Sequence, residues 1–338
     1  MPRQVTNRDT RGRLVLATLL VVAAGACAPP GAPSVLDPKG FGARRIEGLW
    51  WLMFWISLAV FAVVVAFLAV AYVRGHRKQT QLTEARWGGP FVVVSGIVAP
   101  SLILAGVFVV SLNDMMALST PPQQPSLTID IIGHDWWWEV RYGSSGAVTA
   151  NEIHIPTGES VQLRLTTDDV IHSFWVPQLQ AKTDLISGEV NTMWLQADEP
   201  GRYRGQCAEF CGLQHANMIF YVIADEPREF ESWLANEASQ APEPAEAGAS
   251  RGESVFLQSS CAGCHAVRGT EADADLGPDL THLAQRETIA SGVLDNTRSE
   301  LAGWIIDPQS AKPGAIMPPT ELSPADLDAL LDYLESLE

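Results

Sequence analysis

Positive charge is scarce in this chain of 338 residues: 22 Lys and Arg stand against 39 Asp and Glu, a formal net charge of −17. A chain so acidic has no basic face to lay on phosphates, so nucleic acid is not an expected partner. Charge of either sign is thin, at 18% of residues, while hydrophobic residues make up 47%. That balance excludes a disordered chain and points to membrane segments. Cysteine is scarce too. Five are too few for a disulfide scaffold, so their placement carries the information. At roughly 150 residues per domain, the length allows about two domains.

The chain begins with Arg3, Arg8, Arg11 and Arg13, followed by an apolar run over 14–26. That run is too short to span a bilayer and suits an export signal, expected over 1–27. Small residues lead up to Cys27, which resembles a lipoprotein cleavage site with Cys27 as the lipidated new N-terminus. Plain signal cleavage is the alternative. Two later stretches, 49–73 and 91–112, contain no charged residue. Each exceeds the roughly 20 residues needed to cross hydrocarbon, so a transmembrane hairpin in membrane lipid is expected over 45–113. Trp50, Trp51 and Trp55 stand at one end of the first stretch, where interfacial tryptophans belong. Between the spans, Arg74, Arg77, Lys78 and Arg86 face one acid, Glu84. Short basic loops stay in the cytoplasm, which places the chain beyond 113 on the outer, periplasmic side of a bacterial plasma (inner) membrane.

Prolines 121, 122 and 125 mark a stiff exit from the membrane. Beyond them, 126–132, 136–142, 152–155, 160–166 and 190–196 alternate or run apolar between Gly and Pro turn signals. Short strands at such spacing predict an all-β Greek-key sandwich, with the domain set at 120–234.

One constellation carries chemistry in this region. Cys207, Glu209, Cys211, His215 and Met218 fall within twelve residues, with His172 upstream. Two thiolates, two imidazoles and a thioether form a soft, mixed donor set that selects copper over magnesium or calcium. Zinc accepts two cysteines and two histidines but leaves Met218 without a role. Two cysteines four apart can each bridge two copper ions, leaving one histidine per copper and Met218 and the Glu209 carbonyl as weak axial donors. A Cys207–Cys211 disulfide is the bland alternative in an oxidising compartment.

Residues 235–250 are rich in Ala, Pro and Glu and read as a linker, which would act as a flexible tether. A further domain is expected over 251–338, small enough to need a cofactor for its core. Cys261-Ala-Gly-Cys264-His265 is the attachment signature of a covalently bound haem c, with His265 facing the iron. The distal ligand is expected at Met317, in the rigid loop Lys312-Pro-Gly-Ala-Ile-Met317-Pro-Pro, with His282 the competing candidate. The tail is acid-rich; this is usually a solvated face, and it also suits steering of a basic donor.

Residues 126–225 resemble the copper domain of the cytochrome c oxidase subunit II family. The motifs that carry the likeness are Gly133-His-Asp-Trp-Trp-Trp138, His172-Ser-Phe-Trp-Val-Pro177, Lys182-Thr-Asp184 and Gly205-Gln-Cys-Ala-Glu-Phe-Cys-Gly212 with His215 and Met218. The tail resembles a class I cytochrome c, through CxxCH, Gly277-Pro-Asp-Leu280, Trp304-Ile-Ile-Asp-Pro-Gln309 and a final helix over 324–337. Together they resemble the caa-type arrangement: a two-helix transmembrane hairpin, an all-β cupredoxin-like Greek-key sandwich and an all-α class I cytochrome c domain.

The resemblance implies a dinuclear mixed-valence copper centre (CuA) ligated by His172, Cys207, the Glu209 backbone, Cys211, His215 and Met218. It implies a magnesium ion shared with oxidase subunit I through the Glu209 side chain, and electron entry to copper through Trp136. Partners would be subunit I, other oxidase subunits and a cytochrome c or similar donor. The family's frequent glutamate at the start of the second span is missing here, where the chain reads Gly88-Gly-Pro, so proton entry through this subunit is not expected. The alternatives are a copper-containing nitric oxide reductase subunit, a copper-free structural subunit II of a quinol oxidase, and a stand-alone lipoprotein handling copper or haem.

Overall fold

The computed structural model describes residues 33–75 and 88–338. The expected signal, Cys27 and the basic loop beyond Arg74 lie outside the described residues. Helices α1 (Phe41–Gly75) and α2 (Gly88–Ser119) are long and apolar enough to cross a membrane. Both outrun the charge-free stretches 49–73 and 91–112. Within α2 the ladder widens to a π-turn over Val94–Val98, just before Pro100, which has no N–H to give.

The start of α1 and the end of α2 are tied to the β-domain. Lys39 N–H donates to Gln178 O at 2.7 Å and Ala43 N–H to Leu179 O at 3.0 Å. The Trp194 indole donates to Leu118 O at 2.7 Å and stacks obliquely on Phe41.

Ten strands follow: β1 (Leu127–His134), β2 (Trp137–Tyr142), β3 (Ala147–Ala150), β4 (Glu152–Pro156), β5 (Val161–Thr167), β6 (His172–Trp175), β7 (Thr183–Leu185), β8 (Asn191–Leu195), β9 (Gly201–Cys207) and β10 (Ile219–Asp225). They form two five-stranded sheets, ordered β3-β2-β1-β5-β8 and β4-β10-β9-β6-β7. Most pairs are antiparallel, but β1 runs parallel to β5 and β4 parallel to β10. Period-two patterning sets which side chains go in: Val161, Leu163 and Leu165 from β5, Phe220, Val222 and Ala224 from β10. Trp138, Phe174 and Phe220 meet at the centre, with the two phenylalanine rings 4.3 Å apart. Each such buried ring contributes about 1.5–3 kcal/mol. Gly205 makes room for them, since a methyl there would fall 2.2 Å from the Phe220 ring.

Helix α3 (Pro227–Glu237) lays Phe230 and Trp233 on Tyr142 and His154. Helix α4 (Ala247–Gln258) opens the tail domain. It continues through a two-residue ladder of β11 (Thr288–Ile289) and β12 (Leu294–Asp295), α5 (Arg298–Ile306), α6 (Pro308–Ala311) and α7 (Pro324–Glu335). The tail is thus helical apart from that ladder. Helices α4 and α7 cross at contact distance: a methyl on Gly252 would meet Ala329 O at 1.9 Å, and Phe256 packs on Tyr333.

The stretch expected as a linker is shorter than its composition suggests. Residues 235–237 finish α3 and 247–250 begin α4, leaving 238–246 irregular. It is also pinned: Ala241 N–H donates to Arg268 O at 2.9 Å, and the Arg268 guanidinium donates to Ser239 O at 3.3 Å. The tail domain therefore packs directly on the sandwich instead of hanging from a loose tether. Glu152, buried on β4, accepts from Glu287 N–H at 3.1 Å, Thr288 N–H at 3.1 Å and Thr288 Oγ1 at 3.0 Å.

Candidate metal centre and haem cleft

The end of β9, the loop after it and the start of β6 bring the sulfur and imidazole donors together. Cys207 Sγ and Cys211 Sγ stand 3.7 Å apart, both buried and unbonded to each other. A disulfide would need about 2.05 Å, so this pair is not a cystine. His172 Nδ1 faces Cys207 Sγ at 3.9 Å, and His215 Nδ1 faces Cys211 Sγ at 3.6 Å. Met218 Sδ lies 3.8 Å from Cys211 Sγ, and the Glu209 carbonyl 3.1 Å from Cys207 Sγ. The donor set is two sulfurs with one imidazole nitrogen on each and a weak donor at either end. That chemistry fits copper, which such soft donors would hold.

Supporting groups fix the histidine. His172 Nε2–H donates to Asp169 Oδ1 at 2.8 Å, which leaves Nδ1 to face sulfur. Gly133 on β1 gives the ring its space: a methyl there would stand 2.8 Å from His172 Cδ2. Burial opposes charge on His172, but Asp169 and Cys207 outweigh it and lift its pKa to about 9. The contact with Cys211 holds the Cys207 thiol down to about 3, and Cys207 in turn pushes Cys211 up.

The Trp136-Trp137-Trp138 run divides by role. Trp138 is fully buried core. Trp137 stacks on His134, which is bonded to Glu139 at 3.1 Å. Trp136 precedes β2 instead of opening it, and its indole donates to Cys211 O at 2.8 Å. Gly212, at φ +109°, lets the loop lie against that indole, where a methyl would sit 3.2 Å from Cζ2. The Glu209 carboxylate is exposed and lies 3.8 Å from the Lys182 ammonium.

In the tail, a cleft is lined by Cys261, Cys264 and His265 and by Ile316 and Met317. Phe256, Leu283, Leu301, Trp304, Leu330 and Leu334 add an apolar lining. Both cysteines are free. His265 Nδ1–H donates to Pro278 O at 2.8 Å, leaving Nε2 with its lone pair, and burial lowers the ring's pKa so that it stays neutral. A methyl on Gly277 would press on His265 Cε1 at 2.7 Å. Paired free thiols, an oriented neutral imidazole and a thioether around an apolar cleft fit a haem. His282 does not join them: it is buried, with Nδ1 2.6 Å from Glu338 O. Trp136 and Trp137 also line this cleft, so one side chain borders both sites. Sequence reasoning missed Asp169, Gln214, Glu152 and the reach of Lys312. Gln214, Glu152 and Lys312 act across the fold, where no local spacing marks them, and Asp169, three residues before His172, sits in a pair of acids without a motif of its own.

A chain with two membrane-length helices, a sulfur–imidazole copper-type site and a CxxCH domain whose cleft shares a bordering tryptophan with that site is an electron-transfer subunit of a haem–copper oxidase. Residues 144–224 match the family description "Cytochrome C oxidase subunit II, periplasmic domain", and 249–338 match "Cytochrome c". The chain is 37% identical over 315 residues to cytochrome c oxidase subunit 2 of Alkalihalophilus pseudofirmus, covering 90% of this chain and 91% of the relative. It is 30% identical over 350 residues to cytochrome c oxidase subunit 2 of Bacillus subtilis, covering 96% and 98%. Quinol oxidase subunit 2 of Bacillus spizizenii is 29% identical over 244 residues, covering 70% and 75%.

The chain belongs to the cytochrome c oxidase subunit II family, in the form that carries a C-terminal cytochrome c domain. It is part of an oxidase complex and works with other oxidase subunits, and its two family domains imply copper in the sandwich and haem in the tail.

Proposed function

We propose that His172, Cys207, the Glu209 carbonyl, Cys211, His215 and Met218 hold the copper pair, and that Cys261, Cys264, His265 and Met317 hold a haem c. The observation that carries the copper assignment is the spread of donors: sulfurs 3.7 Å apart with one Nδ1 on each. When bound, the two groups supply one-electron transfer at potentials tuned by soft ligands and a His/Met pair. Asp169 and Pro278 each fix one histidine's tautomer through the nitrogen that faces away from the metal. Cys261 and Cys264 anchor the haem covalently, each S–H adding across a vinyl group. Trp136 carries electrons from the cleft rim to the copper loop through its bond to Cys211 O.

The domain units are the hairpin over 45–113, the copper domain over 120–234 and the cytochrome domain over 251–338. The two soluble domains lie on the outer face of a bacterial plasma membrane, where haem attachment and cysteine pairs belong. A cytochrome c or similar donor reduces the tail first, because the tail itself packs against Trp136. The exposed Glu209 carboxylate is the group available for a magnesium ion shared with subunit I. Metal analysis of the co-purified complex, with electron paramagnetic resonance and a pyridine haemochrome assay, tests these assignments. Two copper ions per chain beyond the copper of subunit I, with a delocalised mixed-valence signal, and a haem that survives acid extraction, are expected. A chain loaded with metal but lacking copper would overturn the reading.

A further inference from the structure

We propose that Lys312 is a positioning residue, pinning the loop that carries Met317 against Trp136 so that the two cofactor sites stay in electron-transfer contact. This rests on the copper and haem assignments above and adds what keeps the two sites together.

Lys312 is only 4% exposed. Its ammonium donates to Trp136 O at 2.6 Å, from the sandwich, and to Ala290 O at 3.3 Å, from the tail. Among the described residues no carboxylate forms an ion pair with it. A buried ammonium is costly to desolvate, and burial pulls the Lys312 pKa down to about 7, while carbonyls of two different domains accept its hydrogen bonds. Trp136 in turn bonds Cys211 O at 2.8 Å. The contact therefore runs from the Met317 loop through Lys312 and Trp136 to the copper loop without a gap.

Two further ties flank it. Gln214, between Cys211 and His215, donates to Pro313 O at 2.5 Å, next to Lys312. Ser291 exchanges bonds with Ile219, its hydroxyl donating to Ile219 O at 2.9 Å and its carbonyl accepting from Ile219 N–H at 3.2 Å. Ala290 and Ser291 hold φ of 53° and 61° to make this contact. Non-glycine residues keep such a backbone only where their surroundings impose it. Electron tunnelling weakens steeply with distance, so a loop whose Lys312 end, five residues before Met317, shifts from Trp136 slows the transfer.

The test uses the full chain in its complex, comparing wild type with Lys312→Met, which keeps length and removes the charge. The haem and copper spectra are recorded first. Hydrogen exchange is then followed in the peptides around 134–138 and 309–317, with those around 152 and 287–288 as the reference seam. Electron transfer from photoreduced haem to copper is timed at rising solvent viscosity.

Support is the following set: unchanged spectra, protection of 309–317 down by about tenfold, the scale of one charged hydrogen bond, an unchanged reference seam, and a slower transfer that becomes viscosity-dependent. Unchanged protection and rate overturn the proposal. So does loss of the Met–haem or copper spectrum, since Lys312 would then build a metal site. If Lys312→Met does not accumulate, Lys312→Gln takes its place under the same criteria. Absence of copper or haem from the wild type would instead sink the cofactor assignment itself.

Discussion

Gly133→Ala tests the copper site through a residue that touches no metal. A methyl on Gly133 would stand 2.8 Å from His172 Cδ2, 3.2 Å from Cγ and 3.2 Å from Leu185 Cδ2. Comfortable carbon contacts begin near about 3.5 Å, so the imidazole must withdraw by roughly 0.7 Å. It has little room to do so, being fully buried, held by Asp169 at 2.8 Å and edged by the Trp138 ring. Functional constellations tolerate about 0.5 Å of misplacement. Disturbing a ligand's support costs about 10–100-fold in metal affinity, and that is the expected loss for copper. Overpacking costs about 1–3 kcal/mol, offset by about 0.4–1 kcal/mol from the stiffer unfolded chain, so the metal-free protein is modestly destabilised. Copper titration followed by visible absorption, with paramagnetic resonance of the loaded protein, reads the first effect, and thermal unfolding the second. Unchanged affinity and hyperfine pattern would refute the claim that Gly133 sets the position of His172.

Two further tests address the tail and the helix that leads to it. Gly277→Ala puts a methyl 2.7 Å from His265 Cε1; we expect full covalent haem in a pyridine haemochrome assay but a shifted spin state and a weakened His265–Pro278 bond. Glu237 is buried, its Oε1 has no partner, and burial lifts its pKa from 4.5 to about 7 against the pull of Arg286 and Arg268. The folded form binds this proton more tightly than the unfolded form, so its contribution is full below pH 4.5 and is lost as pH rises to about 7. Glu237→Gln should therefore be more stable than wild type at pH 8 by about 3 kcal/mol, with the gap closing toward pH 4.5, as read by calorimetry. A pH-independent gap would show that the carboxyl is not the cause.

The chemistry was legible where donors sit close in sequence. Cys207 to Met218 and Cys261 to His265 each occupy one loop, so spacing and residue type suffice. The long strands were legible because β1, β5 and β8 alternate or run apolar over five or more residues. The strands β3, β6 and β7 have three or four residues, too few for a period to show, and β9 and β10 flank the ligand loop, whose motif masks their pattern. The composition of 235–250 looked like a tether because Ala, Pro and Glu carry no packing signal. What pins it, Arg268, lies some thirty residues away. Lys312 reads in sequence as part of the methionine loop. Its bond to Trp136 spans 176 positions, and no one-dimensional pattern reports it.

The fastening of both membrane helices to the edge of the sandwich has a mechanical consequence. Helix α1 has 35 residues, about 52 Å at 1.5 Å per residue, which exceeds a hydrocarbon thickness of about 30 Å. Its surplus turns form a stalk that ends on Gln178 and Leu179, the residues just past the His172 strand. A bilayer around that helix would thus set the height of the Cys207–Cys211 loop. One residue inserted in that stalk would lengthen α1 by about 1.5 Å and turn it by about 100°, a twist that the second fastening, from Trp194 to Leu118 of α2, would oppose.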